Sequence, residues 1–176
     1  MRLSESWLVL PLILLLGVSC RTPIQERPED NTQFYKYSFL STNKYIRERN
    51  RELIIAFADR AGWNLSETPT GLWYSITQPG EGEPVQQGRL VSYVYTTRLL
   101  DGTICYRTDT ISPKKIVVGK GNVEAGLEEG LLMLREGSSA RFVIPPYLAH
   151  GNFGDRNKIP GSAVLLIDVL VLDVKR

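Results

Sequence analysis

The chain is poor in the residues that most often carry enzyme chemistry. It has one histidine, His150, and two cysteines, Cys20 and Cys105, in 176 residues. A metal site needs more ligands than one imidazole offers, so no metal and no cofactor is expected. Two cysteines cannot build a disulfide framework, so the fold must rely on its apolar core. Strong charge of one sign is also missing. The formal net charge is +2, and clusters such as "YIRERNREL" carry both signs, as a solvated helix face does. A nucleic-acid partner is therefore not expected. There is no internal repeat and no low-complexity block. The apolar run near the start, "WLVLPLILLLGV", is too short to span a bilayer as a helix.

That run follows Arg2 and has the length of the hydrophobic region of a signal peptide, so residues 1–19 are read as an export signal. It ends at "GVSC", with small Ser19 directly before Cys20. This resembles a bacterial lipobox, in which the cysteine becomes the lipidated N-terminus. Gly17 stands where a branched aliphatic residue is usual. The alternative is a cleaved signal with a bystander cysteine. If Cys20 carries lipid, Cys105 has no intrachain partner and the mature protein is anchored to a membrane. The stretch "RTPIQERPEDNTQ" is polar and holds prolines, so 20–40 is expected to be a flexible tether.

"STNKYIRERNRELIIAFADRAGW" predicts a helix within 41–69. Ser41 or Thr42 can cap it, and Tyr45, Ile46, Leu53, Ile54 and Phe57 form one apolar stripe. Gly62 can stop it after a basic last turn. The stripe either packs on the following domain or mediates self-association. From Thr70 the period changes to strands with turn signals, of which Asp101-Gly102 is a strong hairpin signal. "KKIVVG" is a short strand. In "NVEAGLEEGLLMLREG", Val123, Leu127, Leu131 and Leu134 share a face, predicting a helix of about three turns. "SSARFVIPP" and "AVLLIDVLVLDVK" are two more strands, the last apolar enough to be central. Residues 70–176 thus form an α+β fold, an antiparallel β-sheet wrapped around one short helix, with an apolar hollow between sheet and helix.

The segments "YVYTTRLLDGTICY", "VVGKGNVEAGLEEGLLMLREGSSARFVIPP", "LAHGNFGDRNKIP" and "AVLLIDVLVLDV" together resemble the FKBP family of peptidyl-prolyl cis-trans isomerases. The resemblance covers Gly71 to Arg176. The front end is similar to exported lipoprotein members of the family from Bacteroidetes, including those associated with gliding motility. The resemblance implies catalysis of rotation about an X-Pro bond, with proline-containing polypeptides as clients. It also implies a pocket ring in place of a nucleophile. Tyr95 matches the tyrosine lining that pocket; the alternative is an outward sheet aromatic. Val123 and Ile159 match. Leu127 takes the floor position that is commonly Trp. Cys105 and Tyr106 stand where Phe and Asp are usual, Lys114 where an aromatic is common, and Ile167 where a Phe is usual. Glu124 replaces a branched aliphatic at a position that gives mainly its backbone N–H to a ligand.

His150 falls where the family has a ligand-binding tyrosine. It is expected to donate a hydrogen bond in the pocket and not to act as a general base; the alternative is a turn histidine. Cys105 is either a wall filler or a modifiable thiol facing the cavity. Fewer rings suggest weaker isomerisation or a shifted preference for the residue before proline. Two other functions remain open: a non-catalytic chaperone or binding module, and an accessory lipoprotein of an envelope motility or secretion machine.

Overall fold

The computed structural model of the protein describes residues 31–175. The expected signal segment and Cys20 lie outside the described residues. The chain divides into two units, Met1–Ser38 and Phe39–Arg176, and the sheet and its core belong to the second.

Helix α1 runs Asn31–Ala61, so it starts well before the expected cap at Ser41 or Thr42 and takes in part of the expected tether. No proline or glycine interrupts 31–61. Ser and Thr inside a helix cost only a few tenths of a kcal/mol each, roughly, so they do not stop it. The end is as the sequence predicts. Gly62 adopts φ 67°, its N–H donates to Asp59 O, and Trp63 N–H reaches back to Ala58 O. This double bond is a Schellman motif. Trp63 then packs edge-on against Phe57, with ring centroids 5.3 Å apart.

The seven strands are β1 (Ser66–Glu67), β2 (Trp73–Gln78), β3 (Leu90–Leu99), β4 (Ile104–Arg107), β5 (Lys114–Val117), β6 (Ser139–Ile144) and β7 (Leu165–Lys175). They pair antiparallel in the order β1-β2-β6-β7-β3-β4. β5 adds to the free edge of β3 at Leu90–Tyr93, and β4 takes the same edge at Thr96–Arg98. Between them the β3 edge is bound by Thr108, which accepts from Tyr95 N–H through its Oγ1 and donates its own N–H to Tyr95 O. The β3–β4 hairpin turns at Asp101-Gly102 as expected, with Gly102 at φ 91°.

β7 is central, flanked by β6 and β3. Leu165, Ile167, Val169 and Val171 face one side and Val164 and Leu166 the other, which explains the nearly unbroken apolar run. The register against β3 shifts between Ser92 and Tyr93, leaving Leu172 as an extra residue. The phase of β7 flips there, so Val174 returns to the core side.

Each face has its own cover. On one side Ile54 and Ala58 of α1 are buried, Ile54 with Trp73, Val143, Val164 and Leu166. Arg98, Arg141 and Asp168 form a cross-strand ion cluster on the sheet, and the Arg141 guanidinium lies 3.8 Å from the Trp63 ring centroid. Ile55 and Phe57 are half-buried, while Tyr37, Leu40, Tyr45, Ile46 and Leu53 of α1 are exposed, so the predicted stripe packs only in part.

On the other side sits α2 (Ala125–Leu131), shorter than the predicted three turns. After Leu131 the chain tightens, with Met133 N–H donating to Gly130 O and Leu134 N–H to Leu131 O. Leu134 keeps its place in the core through this tighter turn, so its spacing looked helical. Gly126 and Gly130 set the helix against the sheet. A Cβ on Gly126 would lie 2.5 Å from Ile144 Cγ2, and one on Gly130 would lie 2.7 Å from the Phe142 ring. Phe142 and Ile144 are both fully buried and cannot swing away.

Gly130→Ala should therefore destabilise the domain by about 1–3 kcal/mol, the usual cost of overpacking a filled core. Chemical denaturation checks this; an unchanged midpoint would show that the helix is not held at this distance.

Candidate functional site

Alternation along β3 puts Tyr93, Tyr95 and Thr97 on the concave face beside α2. The Tyr93 and Tyr95 rings meet at a centroid distance of 5.7 Å. Facing them are Val123 and Glu124 before α2, and Leu127 on it. The segment after β6, through the 3₁₀ turns Pro146–Leu148 and Gly151–Phe153, brings Ala149, His150 and Asp155 to the third side. Tyr106 of β4 and Lys114 of β5 complete a pocket of about 480 Å³.

Of the residues the sequence singled out, Tyr95, Tyr106, Val123, Glu124, Leu127 and His150 line this pocket. Cys105, Ile159 and Ile167 do not; all three are buried in the adjoining core, at 2%, 3% and 0% exposure. Lys114 lines the rim and is exposed. Tyr93 and Asp155 were missed. With Tyr93, three tyrosines line the pocket. The signal for Tyr93 was available in the alternation Tyr93, Tyr95, Thr97.

Polar pairs organise the rim. His150 Nε2 lies 3.0 Å from Glu124 Oε1. A carboxylate only accepts, so Nε2 carries the proton in this pair. The expected donation from His150 to a ligand thus has an internal competitor in Glu124. The second pair joins Tyr106 and Asp155. The Tyr106 hydroxyl donates to Asp155 Oδ2, while Asp155 Oδ1 accepts from Asn157 N–H at 2.9 Å and Ile159 N–H at 2.8 Å. One carboxylate thereby ties the 155–159 loop to β4. The Tyr106 bond, helped by those two N–H groups, holds the Asp155 pKa down to about 2. The same bond raises the Tyr106 pKa.

Burial raises the Tyr93 and Tyr95 hydroxyls, and the nearby Glu124 carboxylate adds to both. Both therefore stay neutral donors at neutral pH. Burial also raises the Cys105 thiol, with the Asp155 and Asp101 carboxylates adding to the effect. A buried thiol without thiolate character fills the core behind the pocket, not its wall, and is not a reactive group. Among the described residues no cluster of His, Cys, Asp and Glu could hold a metal ion.

The sequence model of the FKBP-type peptidyl-prolyl cis-trans isomerase family matches residues 81–172, more than half of the chain. The chain belongs to this family. A probable FKBP-type peptidyl-prolyl cis-trans isomerase, FkpA, of Neisseria meningitidis is 34% identical over 110 residues, covering 62% of this chain and 40% of that protein. Mouse peptidyl-prolyl cis-trans isomerase FKBP10 is 38% identical over 98 residues, covering 54% of this chain but 17% of its own length. This FKBP-type chain thus spans well under half of these curated relatives. The crystal structure of FkpA from Escherichia coli superposes with a TM-score of 0.63 at 29% identity, covering 84% of this chain and 71% of that one. AtFKBP13 gives 0.61 at 26% identity, covering 64% and 99%. The expected α+β architecture, a sheet wrapped around a short helix, is the one observed.

Tyr106→Phe should raise the Asp155 pKa from about 2 toward the ordinary carboxylate value. Because the folded pKa is depressed, the stabilisation is present above about pH 4 and lost as pH falls through about 2. Carboxyl-carbon NMR titration of both proteins reads it. An Asp155 titration unmoved by the substitution would show that the tyrosine is not its main partner.

Proposed function

We propose that the pocket binds X-Pro segments of polypeptide clients and accelerates their cis-trans isomerisation. The observation that carries this reading is the composition of the hollow. Three tyrosines, Tyr93, Tyr95 and Tyr106, line it together with Val123 and a buried Leu127, an aromatic and apolar surface suited to a proline ring.

Rotation about the X-Pro bond meets a barrier of ~18–20 kcal/mol set by amide resonance. The twisted amide has lost that resonance and is less charge-separated, so an apolar, water-poor wall favours it over the planar form. Leu127 and the tyrosine rings supply the wall. Tyr93 and Tyr95 both line the pocket, and their hydroxyls are neutral donors. The Glu124 N–H, which donates to no acceptor among the described residues, is free for a substrate carbonyl. Ile111 and Phe153, 93% and 83% exposed, stand on the loops leading to Lys114 and Asp155, where an extended client would pass.

A second reading is a binding module with slow turnover. It is favoured by the leucine in place of an aromatic floor and by the two internal pairs, Glu124–His150 and Tyr106–Asp155, which occupy rim groups that could otherwise serve a substrate. We also propose an exported, lipid-anchored location, supported by the apolar segment and the "GVSC" ending at Cys20. Folding of envelope or secreted proteins is the role that follows. An envelope machine, as in the gliding-motility lipoproteins the front end resembles, is the alternative setting.

A protease-coupled isomerisation assay on the full chain in mild detergent tests the main reading. Acceleration of a proline peptide is expected, with kcat/KM lowered about tenfold or more in Tyr95→Ala, the loss of roughly 1.4 kcal/mol of transition-state contact. A folded chain without acceleration would leave only the binding reading. Lipid labelling of the chain in a bacterial host should disappear in Cys20→Ala; labelling that persists contradicts the anchor.

A further inference from the structure

The Glu124 carboxylate is an unusual group for a pocket that grips an apolar ring. Its side chain is only 18% exposed and its partner His150 is 29% exposed, so neither is a free surface charge. Glu124 lines the same pocket as Tyr93 and Tyr95, and its charge acts on both hydroxyls.

The two rim carboxylates differ in how much acceptor capacity they have left. Asp155 spends Oδ2 on Tyr106 and Oδ1 on two backbone N–H groups. Glu124 spends Oε1 on His150, and Oε2 accepts from no donor among the described residues. A carboxylate has room for about four hydrogen bonds. Glu124 is thus a fixed, partly desolvated anion with one oxygen to give. The titratable groups other than tyrosine that line the pocket with it are Asp155, Lys114 and His150. Lys158 lies nearby, its Nζ 5.2 Å from the Tyr106 ring centroid. Lys114 and Lys158 are exposed side chains on flexible stems. A fixed charge at reduced dielectric outweighs solvated ones, which water and salt screen.

We propose that Glu124 is a specificity-determining residue: it selects clients carrying a lysine or arginine immediately before the proline. This rests on the prolyl-isomerase reading of the pocket. With the proline ring against Leu127 and the tyrosines, the preceding residue is bonded to the ring nitrogen. Its side chain is therefore held at the rim, where Glu124 Oε2 is open to a cation. A long basic side chain lays its methylenes along the rim and brings its head to the carboxylate. An acidic side chain there meets Glu124 and Asp155 together.

The test uses the full chain in mild detergent and three peptides that differ only in Lys, Gln or Glu before proline. Isomerisation rates and peptide binding are measured separately at low and high salt. Lys should exceed Gln in kcat/KM and in affinity by about fivefold, which is ~1 kcal/mol, with Glu lowest. The preference should shrink with salt and fall to near one in Glu124→Gln, which keeps the shape and the His150 contact but not the charge. Equal Lys and Gln values, a preference for Glu, or a ratio unmoved in Glu124→Gln overturns the proposal. So does a preference that follows a lysine placed after the proline instead. If no peptide is accelerated, the isomerase reading fails, while the binding ratios still decide the role of Glu124. If none binds, both fail.

Discussion

The contact between α2 and β6 is the constraint on which the pocket depends. Gly126 and Gly130, one turn apart, let the helix backbone settle onto Ile144 and the Phe142 ring at distances where no Cβ fits. That depth fixes where the chain before the helix can run. Val123 and Glu124 arrive at the rim, and Leu127 becomes the floor beneath the tyrosines of β3. A helix held farther out by a side chain would open the hollow to water and end the low-dielectric surroundings on which the proposed isomerisation depends. The sheet supplies the other half of the constraint. Its second face is packed by α1 residues and tied across three strands by Arg98, Arg141 and Asp168, so the concave side works against a firm back.

The rim is built from polar pairs set around this apolar base. Tyr106 and Asp155 join β4 to the 155–159 loop, and that loop also brings Ile159 into the core. Glu124 and His150 join the approach to α2 with the segment after β6. Both pairs stitch elements that are distant in sequence, and both place charge beside a cavity otherwise suited to proline. On the proposed reading, an apolar base with an anionic rim lets one site both grip the proline ring and choose its neighbour.

Much of the fold could be read directly. The continuous apolar run of β7 marks a central strand, Asp101-Gly102 marks a hairpin, and Gly62 marks the end of α1, because each rests on a local backbone rule. The misread elements have physical causes. α1 begins at Asn31 because nothing in 31–61 breaks a helix, and weakly unfavourable residues do not override propagation. α2 ends at Leu131 because tight turns place Leu134 in the core without further helix. At the site, residues on the elements flanking the hollow were found, whereas pairings across the fold were not. The Tyr106–Asp155 bond spans 49 residues and the Glu124–His150 pair 26, with no spacing rule to announce either. Cys105, Ile159 and Ile167 sit one layer behind the lining, a distinction that depends on side-chain depth and not on position in a motif.

The central claim is that this hollow binds and turns X-Pro bonds. Two-dimensional exchange NMR of a labelled proline peptide with the full chain in detergent tests it most directly. Cis-trans cross-peaks should appear on the sub-second scale, far faster than the tens of seconds of the free peptide. Chemical-shift changes in the protein should centre on Tyr93, Tyr95, Glu124 and His150. Exchange no faster than in the free peptide, or shifts centred on the α1 face of the sheet, would contradict the account.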